Sequence, residues 1–186
     1  DRVLVNAMGL EAFHGTPPDQ VEALYDQLAQ ALVTQHPQAR FDIVAIGVGT
    51  VDNDLAACDA FAAALRRHAP QVEAQTLTMT DPAEFIASAK SAALVVTTRL
   101  HAAVLSYLAG ARVLGIVYHP KIPAVFETLA PQGSDRLGLI APADGQDLSA
   151  LLARVSQAET GAPALPPDFE RDRAVYAEAL FGDMPS

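Results

Sequence analysis

Residues 92–98 read AALVVTT, an extended run whose apolar side chains fall on both faces. Such a strand needs helices above and below it, which is the setting of a parallel sheet. Residues 99–110, RLHAAVLSYLAG, follow with a helical pattern that Gly110 ends. Residues 112–118, RVLGIVY, then return to an extended apolar run. Strand, helix and strand in that order make one βαβ unit, whose crossover is right-handed in nearly all proteins.

The same alternation runs along most of the chain. Further strands are expected at 2–8, 41–49, 72–78 (the weakest) and 136–140. A helix is expected to start at Pro17 and Pro18 and run to His36, with Val21, Leu24, Leu28 and Leu32 on one face. Others are expected from Asp52 or Asp54 to Arg67, from Asp81 and Pro82 through Phe85 and Ile86, over 121–130 with Pro123 in the first turn, and over 144–159. Residues 160–168 read as a linker, and 169–184 as a final helix laid back on the domain. The expected fold class is therefore α/β: a doubly wound parallel sheet of about six strands, Rossmann-like. The domain is expected over 1–160, with 161–186 as linker and C-terminal helix. No internal repeat interrupts the pattern.

Charge and composition narrow the partners. A formal net charge of −10 argues against nucleic acid or an anionic membrane as the main partner. There is no apolar run of the roughly 18 residues a membrane span needs, although peripheral association stays compatible with the pattern. The single cysteine, Cys58, excludes an internal disulfide; with no visible signal peptide, it suits a cytoplasmic setting. Cys58 lies among alanines and reads as an inert core thiol. The five histidines are scattered without HExxH spacing, so no metal is expected. GxSxG, GxGxxG and GK[ST] are all missing; Gly47 and Gly49 read as turn residues, and Asp52 and Asp54 as helix caps. Alanine and arginine richness goes with GC-rich bacterial genomes. The chain enters its first strand directly from Asp1, so an N-terminal domain is expected that this chain lacks.

Ligands of doubly wound sheets collect where strands end and helices begin. Arg99 and His101 lie at the end of the fourth strand; Tyr118, His119 and Lys121 lie at the end of the fifth. If those strands are neighbours, both groups share one rim. Thr97 and Thr98 are placed to cap the helix after the fourth strand, and a helix N-terminus attracts anions. A guanidinium there would add a planar fork matched to carboxylate or phosphate, and His101 could donate a proton or a hydrogen bond. The residues equally allow Arg99 to be solvated or paired to a nearby acid, and His101 to be a satisfied, half-buried imidazole. Lys121 at a helix start is explained by an anion, or is simply a surface lysine. Asn6, Glu11 and His14 leave the first strand at the same rim.

Taken together, ALVVTT, RLHAAVLSYLAG and VLGIVYHPK over residues 93–121 resemble the polysaccharide pyruvyl transferase family. Its members carry a strand, an Arg-Leu-His-Ala helix and an apolar strand ending in Tyr-x-Pro-Lys. Weaker agreement extends over 1–150. The resemblance implies a GT-B-like enzyme with two Rossmann-type domains facing across a cleft, of which this chain resembles the C-terminal, donor-binding one. Members transfer pyruvate from phosphoenolpyruvate to a sugar hydroxyl, usually as a ketal, in bacterial exopolysaccharide synthesis. No cofactor is implied beyond phosphoenolpyruvate as donor substrate, and the acceptor is a glycan. The family pattern carries catalytic and donor-binding roles onto Arg99 and His101, and donor binding onto Lys121, with Thr98 and Tyr118 beside them. It also calls for an arginine from the N-terminal domain, and the first strand here ends in Asn6-Ala7 with no basic residue. Two other readings compete: a non-catalytic GT-B-like binding module, and the donor domain of a nucleotide-sugar glycosyltransferase. The latter would want acids for a ribose; Asp144 and Asp147 look instead like caps.

Overall fold

β1 (Arg2–Asn6) pairs with β2 (Arg40–Ala45) on one side and β4 (Leu94–Thr97) on the other. β3 (Ala74–Thr78) extends the sheet beyond β2, while β5 (Val113–Ile116) and β6 (Leu137–Ile140) extend it beyond β4. All pairs are parallel and the order is β3-β2-β1-β4-β5-β6, the doubly wound arrangement expected from the sequence. The computed structural model describes residues 1–9, 13, 15–49, 53–142, 145–161 and 163.

Alternation along the strands feeds two separate apolar layers. Val3, Val5, Phe41, Ile43, Leu94 and Val96 face one; Leu4, Val44, Val95 and Val113 face the other. The first layer is closed by α1 (Pro18–Gln35), α2 (Leu55–His68) and α6 (Leu148–Gln157), through residues such as Leu28, Leu32, Phe61, Leu65 and Leu152. The second is closed by α3 (Pro82–Ser91), α4 (Leu100–Leu108) and α5 (Lys121–Leu129), through Phe85, Ala103, Tyr107, Ile122 and Phe126. Each such Leu, Ile or Phe side chain, fully buried, stabilises the fold by about 1.5–3 kcal/mol before entropy is counted. Val21, Leu24, Leu28 and Leu32, the expected inner face of α1, are all buried.

Close approach explains one glycine and backbone geometry another. A Cβ on Gly138 would sit 2.9 Å from Val155 Cγ2 and 3.0 Å from Leu114 Cδ1, so α6 lies directly on β6. Gly110 has φ +89° and follows α4 as the sequence suggested. Arg136 closes that end of α4. Its guanidinium lies 4.1 Å from the Tyr107 ring centroid and donates to the Tyr107 and Ala111 carbonyls.

Several element ends differ from the sequence reading. β2 stops at Ala45 instead of reaching 49, because the Ile46 and Gly47 N–H groups turn toward a carboxylate. α6 begins at Leu148, capped by Asp147 through the Ala150 N–H, instead of at 144. Asp81 caps α3 as its position suggested. Glu11, His14, Asp52, Asp144 and the final helix expected over 169–184 lie outside the described residues. Among the described residues, no helix is long and apolar enough to cross a membrane.

Candidate functional site

The order of strands reverses between β1 and β4, and the crevice at their carboxyl ends is where such sheets bind ligands. Asn6 ends β1 and pairs in register with Thr97 of β4. It is 2% exposed and uses both ends of its amide. Its Nδ2 donates to the Val44 carbonyl at 2.9 Å and to Asp54 Oδ2 at 3.0 Å. Its Oδ1 accepts from the hydroxyls of Thr97 at 3.1 Å and Thr98 at 3.4 Å. One buried side chain thus ties together the ends of three strands.

Asp54 occupies the cap position of α2, as expected, but does not cap it. Its φ and ψ are already helical, and Asn53 Oδ1 takes the Leu55 N–H instead, at 3.0 Å. The Asp54 carboxylate turns inward and is 1% exposed. Oδ2 accepts from Gly47 N at 3.0 Å, Ile46 N at 3.3 Å and Arg99 Nε at 2.8 Å, while Oδ1 accepts from Arg99 Nη2 at 2.9 Å. Burial pushes its pKa up, but the Arg99 hydrogen bonds and charge, with those of Gly47 and Asn6, outweigh it and hold the carboxyl below its ordinary value. The group is a carboxylate at neutral pH.

Arg99 immediately precedes α4, its backbone N–H held by Thr97 Oγ1 at 3.1 Å. Of the environments its sequence allowed, the structure pairs it with a buried acid, through a two-point fork. Its side chain is 18% exposed, so it reaches the rim without leaving the crevice. The side chain at the cap position, Arg99, makes no capping hydrogen bond to α4. The expectation for Thr97 and Thr98 is corrected: one hydroxyl serves Asn6 and the Arg99 N–H, the other serves Asn6.

His101 is exposed on the first turn of α4. β4 and β5 are neighbours, with Thr97 opposite Gly115, so the groups that follow each strand do share one rim. Lys121 opens α5 and is exposed; its N–H donates to His119 Nδ1 at 3.1 Å. Tyr118 is half-buried, edge-on to Phe13 with ring centroids 6.1 Å apart. Phe13 stacks edge-on with Tyr25 in turn, and Tyr25 with Phe61. The structure therefore gathers Asn6, Asp54, Thr97, Thr98 and Arg99 into one bonded cluster, with His101, Tyr118 and Lys121 spread along the rim beside it.

Two neighbouring features are of a different kind. A cleft of about 430 Å³ lies between α1 and α2, lined by Met8, Tyr25, Ala60, Phe61 and Arg67 among others; Arg99, His101 and Lys121 are not among its walls. Cys58 is fully buried and donates to the Ala7 carbonyl; burial foremost pushes its thiol up to about 12, which keeps it protonated and unreactive. Among the described residues, no group of three or more His, Cys, Asp or Glu could hold a metal ion.

The family model for polysaccharide pyruvyl transferase matches residues 11–120. The chain belongs to the polysaccharide pyruvyl transferase family. Comparison with curated proteins returns no match. The family match spans more than half of the chain, takes in Asp54, Arg99 and His101, and stops one residue short of Lys121. Membership implies transferase activity of the kind the family is named for, with a glycan as acceptor. Asp54 is the residue that sequence reasoning misplaced. The only signal for it was an arginine in an apolar stretch, which needs an anion within reach.

Proposed function

We propose that this chain is the donor-binding half of a polysaccharide pyruvyl transferase and that its rim takes phosphoenolpyruvate. The observation that carries the reading is Arg99, held in the β1–β4 crevice by Asp54, directly before a helix N-terminus that its own side chain does not cap. First-turn N–H groups and the helix dipole favour an anion there, and the guanidinium supplies fixed positive charge. Lys121, at the start of the neighbouring α5, adds a second cation on the same rim. Phosphoenolpyruvate needs such a pair, since its carboxylate and phosphate hang on one carbon.

In this reading Arg99 meets one anionic group of the donor and Lys121 the other. His101 acts as acid toward the methylene carbon, or as hydrogen-bond donor to the phosphate. Protonation of that carbon leaves positive charge on the adjacent one, where a sugar hydroxyl adds and gives up its proton. The carbon–oxygen bond to phosphate then breaks, a second hydroxyl closes the ketal, and inorganic phosphate departs with the second proton. A second domain facing this rim would hold the acceptor and supply the further arginine. No cofactor enters this chemistry. The cytoplasm is the fitting location, because phosphoenolpyruvate is made there.

Calorimetric titration with phosphoenolpyruvate and, separately, with a uridine nucleotide tests the reading. Native protein is expected to bind phosphoenolpyruvate, and Arg99→Ala and His101→Ala, each verified as folded by circular dichroism, are expected to lose that binding. Binding of the uridine nucleotide alone would favour a glycosyltransferase donor domain, and binding of neither an assembly module.

A further inference from the structure

Resting on the reading of the rim as a donor-anion site, we infer that Asp54 is a positioning residue for Arg99. The carboxylate has anchors besides Arg99. The Gly47 and Ile46 N–H groups and the Asn6 amide all come from strand ends, and all point at Oδ2. Arg99, in contrast, has a long side chain with many rotamers, and the two-point fork selects one plane for its guanidinium. The Asp54 side chain does not cap α2, because Asn53 holds the first N–H of that helix. A buried acid tied to a strand end thus dictates where the rim arginine stands.

The negative charge of Asp54 works against an incoming anion, so two effects oppose each other. Asp54 is buried behind the guanidinium and its charge is shared over five donor contacts, while orientation acts at the point of contact. Orientation is therefore expected to win, and substitutions separate the two. Asp54→Asn removes both charge and anchor. Asp54→Glu keeps the charge and displaces the fork. Asp42→Asn serves as a control, since Asp42 is an equally buried carboxylate at the other end of the sheet.

The full chain and these variants are titrated with phosphoenolpyruvate and with inorganic phosphate, and the thermal midpoint of each is recorded. Asp54→Asn is expected to weaken phosphoenolpyruvate binding about tenfold, and Asp54→Glu about threefold. Asp42→Asn is expected to lower the midpoint yet leave binding within about twofold. Unchanged or tighter binding in Asp54→Asn overturns the inference, as does an equal loss in Asp42→Asn. Should Asp54→Asn not fold, Asp54→Glu decides: a loss supports positioning, and native affinity refutes it. If native protein binds phosphate but not phosphoenolpyruvate, the donor assignment falls and the role of Asp54 is judged on phosphate. Binding of neither anion overturns both.

Discussion

Two carboxylates are buried in this sheet, one near each end, and they are satisfied in opposite ways. Asp42, at the amino end of β2, accepts from Arg2 at 3.4 Å, Arg40 at 3.0 Å and Gln75 at 2.8 Å. Arg2 reaches it from the adjacent strand β1 and Arg40 from two residues earlier on β2 itself, and Arg2 also ties to Ser88 and Ser91 of α3. The cluster pins β1, β2, β3 and α3 to one another. Asp54, at the carboxyl end, is held by backbone N–H groups and an amide, and it grips one arginine that stands before a helix N-terminus. The same pair of residue types therefore serves register at one end and presentation of a cation at the other. What differs is the source of the acid's fixed partners. Side chains with other contacts share the load at Asp42, whereas at Asp54 a single arginine supplies all the countercharge described.

That difference is open to measurement, and the largest effect belongs to Arg99. Arg99→Ala leaves a buried carboxylate without its countercharge and is expected to cost about 3 kcal/mol or more of stability at neutral pH. Urea unfolding measures it. Arg40→Ala is expected to cost about 1 kcal/mol or less, because Arg40 is part-exposed and Asp42 keeps Arg2 and Gln75. Equal losses at the two ends would mean that the two carboxylates depend on their arginines alike.

A pH effect of intermediate size follows from Asp54. Its folded pKa lies below the ordinary 3.8, so the folded state binds fewer protons than the unfolded state as the pH falls through that region. The stabilisation is fully present above about pH 5, clear of the unfolded value, and is lost as the pH falls through the lowered one. The stability difference between native protein and Asp54→Asn should accordingly shrink between pH 5 and pH 2, roughly the range over which carboxylates protonate. A constant difference would mean that the carboxylate charge is not what Asp54 contributes.

The smallest effect concerns the core beneath the carboxyl-end cluster. Cys58 is buried against the Ala7 carbonyl with its thiol pushed up to about 12, so alkylation by iodoacetamide at pH 8 should be slow in native protein and fast in urea. Rapid native labelling would show that this end opens readily, and the rigid anchoring of Asp54 would then be lost.

Much of this was legible in the sequence because the relevant signals are local. Period-two and helical alternation placed the six strands and their helices, and the both-faced apolar run at 92–98 predicted helices on each side of the sheet. Strand ends were less legible. Ile46 and Gly47 are as apolar as the strand before them, and only the carboxylate they turn toward ends β2. Arg99 could be placed at a strand end, but its partner could not be named, since Asp54 lies 45 residues away in sequence. Aspartate after a strand and before a helix also reads as a cap, and a cap and a buried ion-pair partner use the same residue type. Asn53, one position earlier, took the capping role, which only the geometry of the loop reveals.

On the proposed reading a small dianion binds at the carboxyl end of the sheet, beside Arg99, and not at the arginines of the amino end. Backbone amide shifts followed by NMR during titration with phosphoenolpyruvate test it directly. Saturable changes at residues 97–102 and at Tyr118, His119, Lys121 and Ile122, with the amides of Ile46 and Gly47 responding through Asp54, are the expected result. Changes confined to the surroundings of Arg2, Arg40 and Asp42, or no saturable change at all, would contradict it.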